Sequence, residues 1–226
     1  MDTKEASKKF QNGNWQDNAI LSNRYYSWDM MADGYFNAAN ILVGSTICPE
    51  FINEEYLCCK NKEIGEHLFS TCKNTFIFPI FFLYRHYIEL SIKKAYIRIK
   101  KCKLENSKIK AEHSLRILFK NLKDNYMNMY NSNMYQMYKN LEFKQLRRKF
   151  QEIEQIILEF DAIDSTSFNF RYPIDNNGCL IFNNNEIINI ENLAEKMQKI
   201  RVFFQYLDIA LDEIEEVKNI ILDYIE

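Results

Sequence analysis

Glycine and proline are scarce in this 226-residue chain, at five and three residues. A turn-rich all-β sandwich needs such punctuation every several residues, so the shortage argues against that class and favours long helices. Collagen-like, low-complexity and disordered classes are excluded by the 47% hydrophobic and 15% aromatic content, which suffices for a full core. Long apolar runs are missing as well. The longest, Phe76 to Tyr84, meets Arg85 and His86 at once, too early to cross a bilayer. Nor is there an excess of one charge. Twenty-nine Lys plus Arg against thirty-one Asp plus Glu give a formal net charge of -2, unlike a non-specific nucleic-acid binder.

Several chemical signatures are also absent. The chain has no phosphate-cradling glycine loop, no His-Glu-x-x-His zinc helix and no Gly-x-Ser-x-Gly elbow. No tight acidic triad in a β context points to a two-metal nuclease. No secretory n-region and apolar h-region open the sequence, so the six cysteines are expected to be reduced thiols in a cytoplasm. Cys58, Cys59, His67 and Cys72 contain the elements of a zinc site, but adjacent cysteines do not wrap a metal; buried thiols on a helix are the better reading. No metal and no cofactor are expected.

What is present is helical patterning without repeats or linkers, so residues 1–226 read as one domain, with 1–13 frayed. The spacing predicts an antiparallel bundle of about six helices. Trp28, Met31, Tyr35, Ala38 or Ala39, and Leu42 mark a helix over Trp15 to Val43, closed by Gly44 and Pro49. A second covers Asn53 to Asn74, and Pro79 sits in the first turn of a third that runs to Lys103. Later stripes run through Leu115, Leu118, Leu122 and Tyr126, then Phe143, Leu146, Phe150, Ile153, Ile157 and Phe160. The last seam is Leu193, Met197, Ile200, Phe204, Leu207, Leu211 and Ile214, serving the core or a partner helix. Between the last two helices, alternating Phe168, Phe170 and Tyr172, followed by Asp175-Asn176-Asn177-Gly178, predict a small β-hairpin over 168–182.

The third helix is apolar almost all round, so its polar residues are informative. Arg85, His86, Glu89 and Lys93 fall within one arc of roughly 100°. One reading is an internal ion-pair network; the other is a functional cleft, since buried ionisable groups cost several kcal/mol unless partnered. A cleft-lining arc would also draw in His113 and Arg171. The densest positive run, Lys93 to Lys110, reads as a solvated helix end or as a surface for phosphate.

The segments Tyr35-Phe36-Asn37-Ala38-Ala39-Asn40-Ile41-Leu42, Pro79 to Lys93 with its Arg85-His86-x-x-Glu89-Leu90-x-x-Lys93 core, His113-Ser114-Leu115, and Phe170-Arg171-Tyr172-Pro173-Ile174-Asp175 together resemble the HEPN superfamily, the higher-eukaryote and prokaryote nucleotide-binding helical proteins. The likeness runs from about Trp15 to the last helix. It implies an antiparallel helical bundle, frequent homodimers, and in many members metal-independent RNA cleavage in toxin–antitoxin, abortive-infection or other antiviral defence. The ribonuclease signature of that family is an Arg followed, after four to six residues, by a His. No Arg precedes His67, His86 or His113 at that spacing.

Cleavage through a 2′-hydroxyl needs a base near neutral pKa, a cation over the phosphate and a proton donor. The candidate catalytic residues are therefore Arg85, His86, Glu89 and His113, and the candidate substrate-binding residues Lys93, Arg171, Tyr172 and Asp175. The competing readings for His113 and Arg171 are a residue opening its helix and a salt bridge to Glu89 or Asp175. Three functions are expected in competition: an RNA- or nucleotide-acting defence protein, a non-catalytic module binding a partner protein, nucleotide or RNA through the same polar groups, and a dimeric scaffold built on the last seam.

Overall fold

A computed structural model describes residues 28–47, 62–105, 111–131, 141–175, 177–182 and 187–223. They form five helices: α1 (Trp28–Ile47), α2 (Lys62–Cys102), α3 (Leu115–Asn131), α4 (Leu141–Ile163) and α5 (Ile190–Asp223). The chain is all-helical among these residues, with five helices where six were expected. The difference lies at Pro79, which is inside α2 rather than at a helix start. A mid-helix proline costs about 3 kcal/mol. Ile80, Phe81 and Tyr84 just beyond it are fully buried, and Phe76 and Ile77 just before it pack on the same core, so tertiary burial on both sides keeps the helix continuous. At 41 residues α2 is about 60 Å long.

α2 is the helix the others surround. Between Ile80 and Cys102 its buried residues point in every direction, and α1, α3 and α5 all pack against it, with α4 closing the far side on α3 and α5. In α1 the buried row is Ala32, Phe36, Ala39 and Val43, one residue round from the expected stripe; Met31 is exposed, and Trp28, Tyr35 and Leu42 lie half-buried on the flank. The small Ala32 and Ala39 admit α2 closely, with Phe36 reaching the Tyr84 and Tyr87 rings. α1 also continues past Gly44 to Ile47, because the Ser45 and Thr46 hydroxyls bond back to the Ile41 and Val43 carbonyls.

The stripes of α4 and α5 meet as the spacing predicts: Phe150, Ile153, Ile157 and Phe160 face Met197, Ile200, Phe204, Leu207 and Leu211 in one core. Phe119 of α3, Phe150 and Phe203 stack there at ring separations of 4.9–6.0 Å. The last seam is thus consumed inside the chain, from Leu193 at 6% exposure to Ile214 at 3%, and is not a free surface for a second copy.

Among the described residues the expected β-hairpin over 168–182 does not form; one antiparallel bridge, Ile174 to Leu180, links its two sides. The reason is local. The Asp164 carboxylate accepts the backbone N–H groups of Phe168 and Asn169, which coils Phe168–Arg171 into a turn and breaks the alternation. Phe170 then inserts against Phe81 at 4.0 Å, whereas Phe168 and Tyr172 pair with each other outside. The expected turn residues do turn: Asp175 accepts from the Asn177 and Cys179 N–H groups, and Gly178 takes φ +80°. No described helix is long and apolar enough to cross a membrane.

Candidate functional site

The polar arc of α2 becomes a three-helix junction. Arg85, fully buried, donates from Nη1 to Glu89 Oε2 (3.1 Å), from Nε to the Asp164 carbonyl (3.1 Å), and from Nη2 to the His113 carbonyl (2.6 Å). The Asp164 carboxylate lies 3.4 Å from the same Nε. One guanidinium therefore ties α2 to the segment entering α3 and to the end of α4. Its planar fork suits three acceptors in fixed directions, which an ammonium cannot match.

Glu89 is the second hub. Its Oε1 accepts from Lys93 Nζ at 2.7 Å and lies 3.0 Å from His113 Nδ1. Burial alone would raise the Glu89 carboxyl, but the hydrogen bond and charge of Lys93, then those of Arg85, outweigh it and hold the group below its usual range. An ionised carboxylate can only accept, so His113 Nδ1 carries the proton of that bond. The imidazole is 58% exposed, and in its neutral form Nε2 is left as an acceptor.

His113 does not open α3. Ser114 does, its hydroxyl accepting the Ile117 N–H, while Glu112 accepts from the His113 and Ser114 N–H groups. Asp161 completes the cap by accepting from the Ser114 hydroxyl and the Arg116 N–H. The end of α4 thus holds the start of α3, which fixes the His113 ring over Glu89.

His86 stands at the edge of this junction. Its ring meets the edge of Tyr35 at 4.3 Å and lies parallel to Phe82 at 5.9 Å. Burial lowers its pKa; Glu89 opposes the change, and the charges of Arg85, Lys93 and Arg171 add to it. His86 is therefore neutral at pH 7.

Of the other expected site residues, Lys93 joins the cluster at 13% exposure. Arg171 forms no salt bridge to Glu89 or Asp175 among the described residues; its guanidinium instead lies over the Phe168 and Tyr172 rings at 6.0 and 5.9 Å. Tyr172 is half-exposed on the same turn. Asp175 stands apart in its own turn, where the Cys179 and Asn177 N–H groups depress its carboxyl. Cys58 and Cys59, and the side chains of His67 and Cys72, lie outside the described residues.

Asp164 and Asp161 are the members that spacing arguments missed. A signal existed: Asp164 continues the three–four stripe of Ile153, Ile157 and Phe160 by one step, placing a carboxylate where the core demands an apolar residue or a partnered charge. No protein-family model, curated protein or solved structure matches this chain.

Proposed function

We propose that the chain is a HEPN-like protein of a bacterial antiviral-defence or toxin–antitoxin system, acting on RNA through Glu89 and His113. The observation that carries this reading is the 3.0 Å Glu89–His113 contact beneath a solvent-exposed imidazole. A buried ionised carboxylate fixing one ring nitrogen leaves the other to act as general base, the division of labour of an acid–histidine pair. His113 Nε2 takes the proton of a ribose 2′-hydroxyl, the oxygen attacks the adjacent phosphorus, and the departing 5′-oxygen is protonated from solvent. Arg171, whose charge reaches His86 and which no described carboxylate neutralises, is the cation available to the phosphate. Arg85 cannot touch substrate at zero exposure; it is a positioning residue that holds Glu89 and the His113 backbone. The motif resemblance supplies the defence setting and a homodimer, and the expectation of reduced thiols supplies a cytoplasmic location.

A second reading has its own support. Arg85, Glu89 and Asp164 are nearly sealed from solvent and pair mainly with one another, as in a structural clamp of a non-catalytic, partner-binding module. The two separate in one experiment: labelled single-stranded RNA and tRNA incubated, with chelator, with wild type and His113→Ala. That substitution keeps the backbone carbonyl Arg85 uses, so the melting temperature should hold. Cleavage by wild type and its loss in the variant supports the catalytic reading; an inert wild type overturns it in favour of the clamp.

A further inference from the structure

The bridge between Ile174 and Leu180 leaves a strand edge open. The Asp175 N–H donates to the Cys179 carbonyl at 2.8 Å and the Ile181 N–H to the Pro173 carbonyl at 3.2 Å, the two bonds that flank the bridge. In an antiparallel ribbon the pair lying between such bonds turns its own N–H and C=O groups outward. Among the described residues no backbone hydrogen bond engages either group of Ile174. An outward N–H and C=O on one extended residue are a template for a further strand.

The surroundings select the kind of occupant. The ribbon is seated on α2 through Phe170, stacked on Phe81 at 4.0 Å, and Phe182, 6.2 Å from Phe78, so its edge is held against a helix. Tyr172, Ile174 and Leu180 are 51, 45 and 62% exposed and form an apolar row. Arg171 stands at the end of that row, its guanidinium 5.9 Å from the centre of the Tyr172 ring, and pairs with no carboxylate among the described residues. A backbone edge, an apolar row and one unneutralised cation thus follow one another within about 10 Å of extended chain. A helix satisfies its own backbone and would leave the Ile174 groups unused. An extended segment with apolar residues in alternation and a carboxylate at its C-terminal end matches all three features.

We propose that a partner protein adds an antiparallel β-strand here. One of its residues exchanges both backbone bonds with Ile174, its apolar side chains lie beside Ile174 and Tyr172, and its carboxylate meets Arg171. The surface uses neither Glu89 nor His113 and does not depend on RNA cleavage. It shares Arg171 with the ribonuclease reading, so changes at Ile174, which that reading does not use, separate the two.

The fluorescein-labelled peptide Thr-Val-Thr-Val-Glu-Glu amide, titrated with the full chain and followed by fluorescence anisotropy, tests it. Wild type should bind saturably below about 1 mM, and at least tenfold more tightly than it binds the same peptide N-methylated at its first valine or carrying lysines for the two glutamates. Ile174→Pro removes the outward N–H and keeps the inward Asp175 and Ile181 bonds, so it should weaken binding at least tenfold, whereas Ile174→Val should bind like wild type. Unchanged hydrogen-exchange protection of the Asp175 and Ile181 amides shows that the proline variant keeps its ribbon; the N-methylated peptide makes the same test on unaltered protein. His113→Ala should leave binding unchanged. Silence up to about 1 mM, equal binding of the N-methylated peptide, or wild-type affinity in an Ile174→Pro chain with an intact ribbon overturns the proposal. Anisotropy that rises with labelled single-stranded RNA but not with the peptide marks the surface as a nucleic-acid contact and overturns it too.

Discussion

Replacing Arg85 with alanine removes the cation on which α2, α3 and α4 converge. Three hydrogen bonds go with it, and two carboxylates, Glu89 at 4% and Asp164 at 1% side-chain exposure, lose their buried counter-charge. Glu89 keeps Lys93, so the larger penalty falls on Asp164, whose Oδ2 has no hydrogen-bond partner beyond the 3.4 Å approach to Arg85 Nε. Breaking a buried pair from one side costs about 3–5 kcal/mol. For a chain of this size each kcal/mol moves the melting temperature by roughly 2–4 °C, so Arg85→Ala should melt about 10 °C below wild type. Thermal unfolding followed by circular dichroism at pH 7 measures this. Arg85→Met/Asp164→Asn, which removes the charge as well as its partner, should recover part of the loss because the two changes couple. The junction account fails if Arg85→Ala melts within about 2 °C of wild type, or if the double variant is no better than the single.

Asp164→Ala removes the acceptor for the Phe168 and Asn169 N–H groups, so those amides should lose hydrogen-exchange protection, a loss of about 1–3 kcal/mol that adds to the cost of taking the buried counter-charge from Arg85. Unchanged protection would mean that the Phe168–Arg171 turn does not depend on the Asp164 carboxylate. The depressed pKa of His86 means the folded state resists protonation there: its contribution to stability is complete above the unfolded value of 6.5 and declines as pH falls from there toward the folded pKa. His86→Phe, which keeps a ring between Tyr35 and Phe82, should therefore flatten the stability profile between pH 7 and 5 in urea titrations; parallel profiles would refute the assignment. Glu89 adds a separate loss at lower pH, below its usual 4.5, because its folded pKa is depressed.

Helical periodicity made much of this architecture legible. The stripe through Phe150, Ile153, Ile157 and Phe160, and the seam from Leu193 to Ile214, are buried as their spacing requires, since a 3.6-residue period is a local property. The row Arg85, Glu89, Lys93 was visible for the same reason. Other features depended on competition between local and distant forces. Pro79 reads as a helix start, but burial on both sides of it carried α2 through. Phe168, Phe170 and Tyr172 alternate like a strand, but a carboxylate four residues upstream captured the amides a ladder would need.

The sequence by itself determined the helical class, the faces that seek the core, and the presence of ionisable groups on a helix with no wet side. It contained the residues of the junction without their partnership: Arg85 meets Asp164 across 79 positions and His113 across 28, separations that no periodicity encodes. Only the tertiary structure decided that Arg85 would be sealed between α2, α3 and α4, and that His113 would face solvent over a buried carboxylate. The physical reason is the cost of burying charge. Each buried ionisable group must find a partner wherever the packing of apolar faces brings one, and the sequence specifies that packing one helix face at a time.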